Sequence, residues 1–159
     1  MAEPARATPR AWLRAAAVAA VVIMLDQLSK ELLRRSLAFG ASATVIPGVL
    51  TIVRTSNTGV AFSAFSGGVV LVTVLSLAVT ALLLFFFARF GSQRHLWVPA
   101  GMIAGGALGN LIDRLRLGAV TDFIKLPDWP AFNLADSAIT IGVLALVIMI
   151  GRGGAHGAG

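Results

Sequence analysis

The stretch Val69–Ala88, VVLVTVLSLAVTALLLFFFA, decides the fold class of this chain. It is 20 residues long, contains no charged residue and is followed at once by Arg89. An α-helix rises 1.5 Å per residue, so this stretch would be about 30 Å long, which is the thickness of the hydrocarbon core of a bilayer. The stretch therefore predicts a membrane-spanning helix.

Three further stretches have the length and composition of membrane helices. The whole chain is 57% hydrophobic and only 13% charged, whereas a soluble domain has about 25% charged residues. We therefore predict an all-α membrane protein that forms one domain over residues 1–159. Its four transmembrane helices are predicted at 12–33, 69–88, 96–112 and 134–151, with long loops at 37–68 and 113–133.

The charged and metal-binding residue types exclude several classes of function. The net charge is +6, but the 13 Lys and Arg fall in small clusters beside apolar runs. This pattern is typical of anchors at lipid headgroups and not of a nucleic-acid surface. We therefore expect no nucleic-acid partner. There is no cysteine and there are only two histidines, so we expect no metal. The cations divide almost evenly between the two membrane faces, and only Arg6, Arg10 and Arg14 favour a cytoplasmic N-terminus.

The loops carry a second structural pattern. Thr44–Ile46 and Val49–Val53 are β-branched runs separated by Pro47-Gly48, so we predict a small hairpin or sheet on the membrane surface. The turn between the second and third spans is short, which makes these spans an antiparallel pair. Four spans then place both long loops on one face of the membrane.

Polar residues inside the predicted spans are candidates for either packing or function. Asp26 and Lys30 lie four residues apart on one helix and predict an ion pair. Gly101, Gly105 and Gly109 form two successive GxxxG steps, which favour close packing of helices. Both patterns have a structural interpretation, and we prefer it for each.

Asp122 and Asp136 form the most informative pair. Asp122 lies between apolar residues in TDFIKL, and Asp136 lies in FNLADS at the start of the fourth span. Two carboxylates at one membrane edge can share a proton, so that one activates water while the other protonates a carbonyl oxygen. The alternative for Asp136 is helix capping, with Asn133 as the N-cap residue.

Two other classes of function remain open at this point. A small proton-coupled membrane transporter could use Asp26 and Asp136 as proton carriers. A lipid-binding scaffold protein would need no chemistry at all. A carboxylate pair at one membrane edge favours hydrolysis by the acid–base chemistry of aspartic proteases over both of these classes.

Four segments of the chain resemble the lipoprotein signal peptidases, also called signal peptidase II. They are DQLSK (26–30), NTGVAFS (57–63), GGALGNLIDRLRLGAVTDFI (105–124) and FNLADS (132–137). The resemblance implies a four-helix membrane bundle with a small extracytoplasmic β-cradle and a short outer-face helix. It implies Asp122 and Asp136 as the catalytic dyad. It further implies Asn57, Asn110, Arg114 and Asn133 as substrate-binding residues, with Asp26, Lys30, Asp113 and Gly59 in support.

The same resemblance implies the activity and its setting. The expected enzyme is an aspartic endopeptidase that cleaves bacterial prolipoproteins before a diacylglyceryl-modified cysteine. Its expected partners are that substrate, membrane lipid and the peptide inhibitors of the family, and it is expected to use no cofactor. It would lie in the bacterial inner membrane as a multi-pass protein, with both termini cytoplasmic and the active site at the outer face.

Overall fold

The computed structural model describes residues 7–58, 68–90 and 95–155 of the chain. These residues form four helices, as predicted, and one small three-stranded sheet, of which two strands were predicted. In chain order the elements are α1 (Pro9–Ser36), β1 (Ser42–Ile46), β2 (Leu50–Asn57), α2 (Gly68–Phe90), α3 (Trp97–Leu117), β3 (Val120–Lys125) and α4 (Leu134–Ala155).

Helix α1 has clear start and stop signals. The Thr8 hydroxyl accepts a hydrogen bond from the Ala11 N–H at 3.2 Å, and Pro9 occupies the first turn. Arg34 and Arg35 lie in the last turn, where positive charge interacts favourably with the carbonyl end of the helix dipole.

Within the described ranges, α1 is the one helix that is long and apolar enough to cross a bilayer. Helices α2 and α4 contain the shorter apolar stretches Thr73–Arg89 and Leu134–Met149. The four helices are confirmed, and the count of four transmembrane spans stays a prediction.

Helix α3 is the central helix of the bundle and contacts the other three. Its glycines allow α1 to approach closely, because a Cβ at Gly105 would lie 2.8 Å from the Ala19 carbonyl oxygen. A Cβ at Gly109 would lie 2.7 Å from Oδ2 of Asp26. The GxxxG steps therefore serve helix packing, as predicted, and they bring α3 against the polar part of α1.

The bundle has a small apolar core and exposes many large apolar side chains on its outer surface. Its apolar core consists of Ala15, Phe87, Leu96, Ala100, Ile103 and Leu146. The Trp12 ring meets the Phe87 ring edge-on, with centroids 4.9 Å apart. The exposed large apolar side chains include Leu13, Met24, Phe85, Leu144 and Val147. This distribution is the one expected of helices whose outer surface contacts lipid.

The sheet has the antiparallel order β1-β2-β3. The predicted strands around Pro47-Gly48 are confirmed as β1 and β2, and Gly48 takes the positive φ of 71° that this turn needs. Strand β3 was not predicted. It pairs with β2 and lies inside the segment that we had interpreted as a loop.

Helix α3 extends beyond the C-terminal end of the predicted third span. That span ends at residue 112, and the helix continues for another turn, through Asp113, to Leu117. Gly118 then ends the helix with φ of 74°, and its N–H donates to the Arg114 carbonyl oxygen. Asp113 and Arg114 can continue the helix because Asp113 is buried among protein groups and does not face lipid.

The short outer-face helix that the resemblance implies has no counterpart among the residues the structure describes. Between β3 and α4 these residues form turns and one isolated bridge, Ile124 with Phe132. Residues 59–67, and with them Gly59, lie outside the described ranges.

Substituting Gly105 should test the close approach of α1 and α3. Gly105→Leu places a side chain where the Ala19 backbone lies, so we expect the free energy of unfolding to fall by about 1–3 kcal/mol. Thermal unfolding in detergent measures the change. Leu108→Val is the matched control, because Leu108 is exposed on the same helix. An unchanged melting temperature for Gly105→Leu would contradict the packing.

Candidate active site

The buried polar residues of the described ranges gather at one end of the bundle. They come from the C-terminal halves of α1 and α3, from β3 and from the start of α4. They are Asp26, Lys30, Asn110, Asp113, Thr121, Asp122 and Asn133. Buried polar groups are costly unless they are hydrogen-bonded, so this cluster needs an account of each partner.

The Lys30 ammonium is the centre of the cluster. Its Nζ lies 2.8 Å from Oδ2 of Asp26, 3.0 Å from Oδ1 of Asn110 and 3.3 Å from Oδ2 of Asp113. The side chains of Lys30 and Asp26 are fully buried. An ammonium has three N–H donors, and here it meets three acceptors. The predicted ion pair between Asp26 and Lys30 is confirmed.

Two acidic residues of the cluster connect different elements. Oδ1 of Asp26 accepts the Ala135 N–H at 3.0 Å, which joins α1 to the first turn of α4. Oδ2 of Asp113 accepts the Thr121 N–H at 2.9 Å, which joins α3 to β3. Each carboxylate thus satisfies a backbone donor that would otherwise be buried without a partner.

Asp136 and Asn133 cap helix α4 reciprocally. Oδ1 of Asn133 accepts the Asp136 N–H at 2.9 Å, and Oδ2 of Asp136 accepts the Asn133 N–H at 3.2 Å. This is the arrangement of a capping box, which satisfies two free donors of a helix start. The capping interpretation of Asp136 is confirmed.

Asp136 is nevertheless placed for more than capping. Its Oδ1 accepts a hydrogen bond from Nδ2 of Asn110 at 2.8 Å, and its side chain is only partly buried. It lines a cavity of about 370 Å³ together with Leu126, Trp129, Phe132, Ser137, Thr140 and Ile141. The carboxylate therefore borders a mostly apolar space large enough for part of a bound molecule.

Asp122 reaches the same place from strand β3. It pairs with Thr55 of β2 in register, and backbone bonds between Ile124 and Phe132 bring Asn133 beside it. Nδ2 of Asn133 donates to Oδ1 of Asp122 at 2.7 Å. The Asn57 side chain at the end of β2 also hydrogen-bonds to the Asp122 carboxyl.

The two carboxylates are linked through two asparagines. Nδ2 of Asn133, which binds Asp122, also lies 3.2 Å from Oδ1 of Asn110, and Asn110 binds Asp136. Burial raises the pKa of Asp122 to about 6, and the negative charge of Asp136 adds to the rise. The amides of Asn57 and Asn133 and the charge of Lys30 act in the opposite direction.

Arg114 lies on the same end of α3 and is partly exposed. The carboxylates of Asp136, Asp122 and Asp113 attract its guanidinium. Among the described residues, no hydrogen bond or ion pair fixes that guanidinium. Its donors are therefore available to a ligand at the carboxylate pair.

Thr121, a member of the cluster, and Gln27, which lies beside it, were missed in the sequence analysis. Nε2 of Gln27 donates to the Gly109 carbonyl oxygen at 3.1 Å and lies 3.3 Å from Oδ1 of Asp113. Thr121 accepts a hydrogen bond from the Arg34 guanidinium at 3.0 Å. Gln27 follows Asp26 and Thr121 precedes Asp122, so their positions inside polar motifs were the available signal.

The described residues contain no group of three or more His, Cys, Asp or Glu side chains that could hold a metal ion. The polar side chains of the described site are mainly carboxylates and amides. A pair of linked carboxylates at the end of a bundle with an apolar surface is typical of a membrane-bound aspartic peptidase.

Comparisons with known proteins agree with this class. Residues 18–152 match the model of the family described as signal peptidase II. The lipoprotein signal peptidase of Dehalococcoides mccartyi is 44% identical over 134 residues, covering 80% of this chain and 82% of the relative. That of Paraburkholderia phymatum is 40% identical over 155 residues, covering 92% and 91%.

A bacterial membrane enzyme whose structure was determined by the in meso method has a similar fold. It matches with a TM-score of 0.80 and 30% identity over 92% of this chain and 96% of its own. The chain belongs to the signal peptidase II family, and it is a membrane protease.

The alternative of a proton-coupled transporter loses its structural basis. Its two proposed carriers, Asp26 and Asp136, both bond to backbone N–H groups at the start of α4. They therefore lie at the same end of the bundle and cannot form successive steps of a path across the membrane.

The raised pKa of Asp122 predicts a pH-dependent cost to stability. The native carboxyl holds its proton up to about pH 6, whereas the unfolded one loses it near pH 3.8. The native state thus binds more protons between these values, so stability falls as the pH rises from about 4 to 6.

Asp122→Asn removes this cost. We expect the variant to be more stable than the native protein at pH 7, by about 1–2 kcal/mol, with the gain disappearing near pH 4. Thermal unfolding in detergent at the two pH values measures it. Asp128→Asn, at an exposed turn, is the control. A gain of equal size at both pH values would refute the assigned cause.

Proposed function

We propose that the protein removes signal peptides from bacterial prolipoproteins with Asp122 and Asp136 as its catalytic dyad. It is an aspartic endopeptidase of the signal peptidase II family. The bond that it cleaves lies just before a cysteine that carries a diacylglyceryl group. The observation that carries the proposal is the link between the two carboxylates through Asn133 and Asn110.

The dyad can perform the hydrolysis by general acid–base catalysis. One carboxylate takes a proton from a water molecule while the water oxygen attacks the scissile carbonyl carbon. The other carboxyl donates a proton to the carbonyl oxygen. The resulting tetrahedral diol then collapses. The carboxyl that took the proton from water gives it to the leaving nitrogen as the C–N bond breaks, and the other carboxylate takes a proton from a diol hydroxyl as the new carboxyl group forms. The mutual repulsion of two close carboxylates keeps one proton on the pair at the start.

The surroundings of the dyad suit a substrate that is largely apolar. The cavity beside Asp136 has apolar walls that include Leu126, Trp129 and Phe132, and it would hold the segment next to the cleaved bond. The free donors of Arg114 would bind carbonyl oxygens of the substrate backbone, which a guanidinium does well. The side chains of Asn57, Asn110 and Asn133 complete the polar side of this site.

We place the site at the outer face of the bacterial membrane, with both termini in the cytoplasm. The C-terminal end of α1, the sheet and the first turn of α4 lie at one end of the bundle. This supports placing them at the same depth in the membrane. Counting 16 residues from Arg152 at 1.5 Å each puts Asp136 about 24 Å up a core about 30 Å thick. The bond between a membrane-spanning signal helix and a lipid-anchored cysteine lies at that level.

Removing either carboxylate should abolish cleavage while keeping the fold. In Asp122→Asn and Asp136→Asn the amide can act neither as base nor as acid, so we expect turnover to fall at least about 100-fold. The double variant should be little worse than either single variant, because the two residues act as a unit. The measurement is release of the signal peptide from a lipidated prolipoprotein, followed by mass.

Asp128→Asn is the matched control for these variants, since Asp128 lies at an exposed turn after β3. It should retain native turnover, and the native enzyme should retain its activity in chelator. If Asp122→Asn or Asp136→Asn kept more than about a tenth of native turnover, that residue would not be catalytic.

Arg114 should act in substrate binding. Arg114→Ala removes the free guanidinium donors, so we expect KM to rise about tenfold or more, as for a lost charged hydrogen bond. Arg116→Ala is the control, because Arg116 is exposed two residues later on the same helix. Equal KM values in the two variants would mean that Arg114 is only an interfacial anchor.

A further inference from the structure

Lys30 has no part in the chemistry described so far, yet it is fully buried. Hydrogen bonds link it to Asp136 through Asn110, and to Asp122 through Asn110 and Asn133. Its Nζ donates to Oδ1 of Asn110 at 3.0 Å, and Nδ2 of the same Asn110 donates to Asp136. Nδ2 of Asn133 donates both to Oδ1 of Asn110 and to Asp122. One acceptor oxygen, Oδ1 of Asn110, therefore receives Lys30 and Asn133 together.

An amide side chain can turn by half a rotation and exchange its donor and acceptor ends. An ammonium only donates, so the side of Asn110 that faces Lys30 has to be the oxygen. The NH₂ group of Asn110 is then directed at Asp136. The oxygen is also the acceptor for Asn133, whose own NH₂ group is directed at Asp122.

We propose that Lys30 is a positioning residue that fixes the donor direction of the Asn110 amide, so that Asp136 of the dyad receives an N–H donor, whereas the Asn133 amide is oriented by the Asp136 N–H. The proposal rests on Asp122 and Asp136 being the dyad. Lys30 itself touches neither substrate nor the reacting atoms.

The arrangement of donors has a chemical consequence for the dyad. Both oxygens of Asp136 accept N–H groups, from Asn110 and from the Asn133 backbone. Hydrogen bonds to a carboxylate favour its charged form. By directing the Asn110 donor at Asp136, Lys30 would favour the ionised form of that carboxyl, which is the form that can accept a proton from water.

Several charges surround Lys30 and enter any account of pH. On its own helix it faces Asp26, and Arg34 lies beside Asp113 at 3.9 Å. The charged groups that interact with it from the other elements are Asp113, Asp122 and Asp136. Arg114 interacts with the same three carboxylates. Lys30 attracts and Asp26 repels a negative charge on Asp136, so removing both leaves the net charge beside the dyad unchanged.

The test is therefore the charge-neutral double variant Lys30→Met/Asp26→Asn. The acid-side midpoint of the pH profile of kcat/KM, with a lipidated prolipoprotein as substrate, should rise by about one pH unit. The rise is expected because Asp136 loses its directed donor and ionises less readily. A purely structural role for Lys30 would lower activity equally at every pH, so an unchanged midpoint would overturn the proposal.

The matched control is Glu31→Gln/Arg35→Met. It removes an ion pair with the same four-residue spacing on the same helix, where the Arg35 side chain is 76% exposed. Its midpoint should equal that of the native enzyme. A shift like that of the Lys30 variant would mean that any ion pair of α1 has the effect, and this too would overturn the proposal.

A second variant and a second measurement cover loss of folding or of activity. Lys30→Met/Asp113→Asn leaves the bond between Asp26 and the Ala135 N–H intact. It should show a larger upward shift, because the Asp26 carboxylate that remains repels a negative charge on Asp136. Infrared titration of the protonated carboxyl band, assigned by its loss in Asp122→Asn, follows the dyad without turnover. Activity of Asp122→Asn or Asp136→Asn would instead refute the dyad, whatever the Lys30 variants do.

Discussion

The contact on which the rest of this structure depends is the buried ion pair of Lys30 with Asp26. It lies inside an apolar bundle, where a charge without partners would cost several kcal/mol. Each of its atoms therefore has to be matched, and the matching groups come from α1, α3 and α4. The need to satisfy both members of this ion pair thus determines where three helices meet. Gly109 makes this possible, because any larger side chain would meet the Asp26 carboxylate.

Most of the fold could be predicted from the sequence, since charge-free runs and GxxxG steps are local patterns. The hairpin around Pro47-Gly48 was predicted for the same reason. Strand β3 was not, because Asp122 and Lys125 interrupt its apolar pattern and its partner strand lies far away in the sequence. The helix beyond residue 112 was not predicted, because a charged residue such as Asp113 ends a charge-free run. Its carboxylate accepts the Thr121 N–H inside the protein.

The sequence predicted which residues form the candidate site, but not the hydrogen bonds between them. Motif resemblance supplied Asp122, Asp136 and the asparagines, and the structure brings them together. The direction of each hydrogen bond depends on side chains from separate elements, so no sequence pattern could reveal it. Capping and a site at the carboxylate pair had been treated as alternatives for Asp136. They coexist, because one oxygen binds the Asn133 N–H while the other binds Asn110.

The double use of Asn133 has a consequence for biogenesis. The same side chain caps α4 and binds Asp122, so the first turn of that helix and the linked carboxylate pair form in one cooperative event. Helix α4 is also the last of the described elements in chain order. A nascent chain that has formed only its first three helices would therefore carry Asp122 without Asp136 beside it. On the proposed assignment of the dyad, such a chain is a protease that cannot yet cleave its substrate, and it gains that capacity only when α4 has joined the bundle.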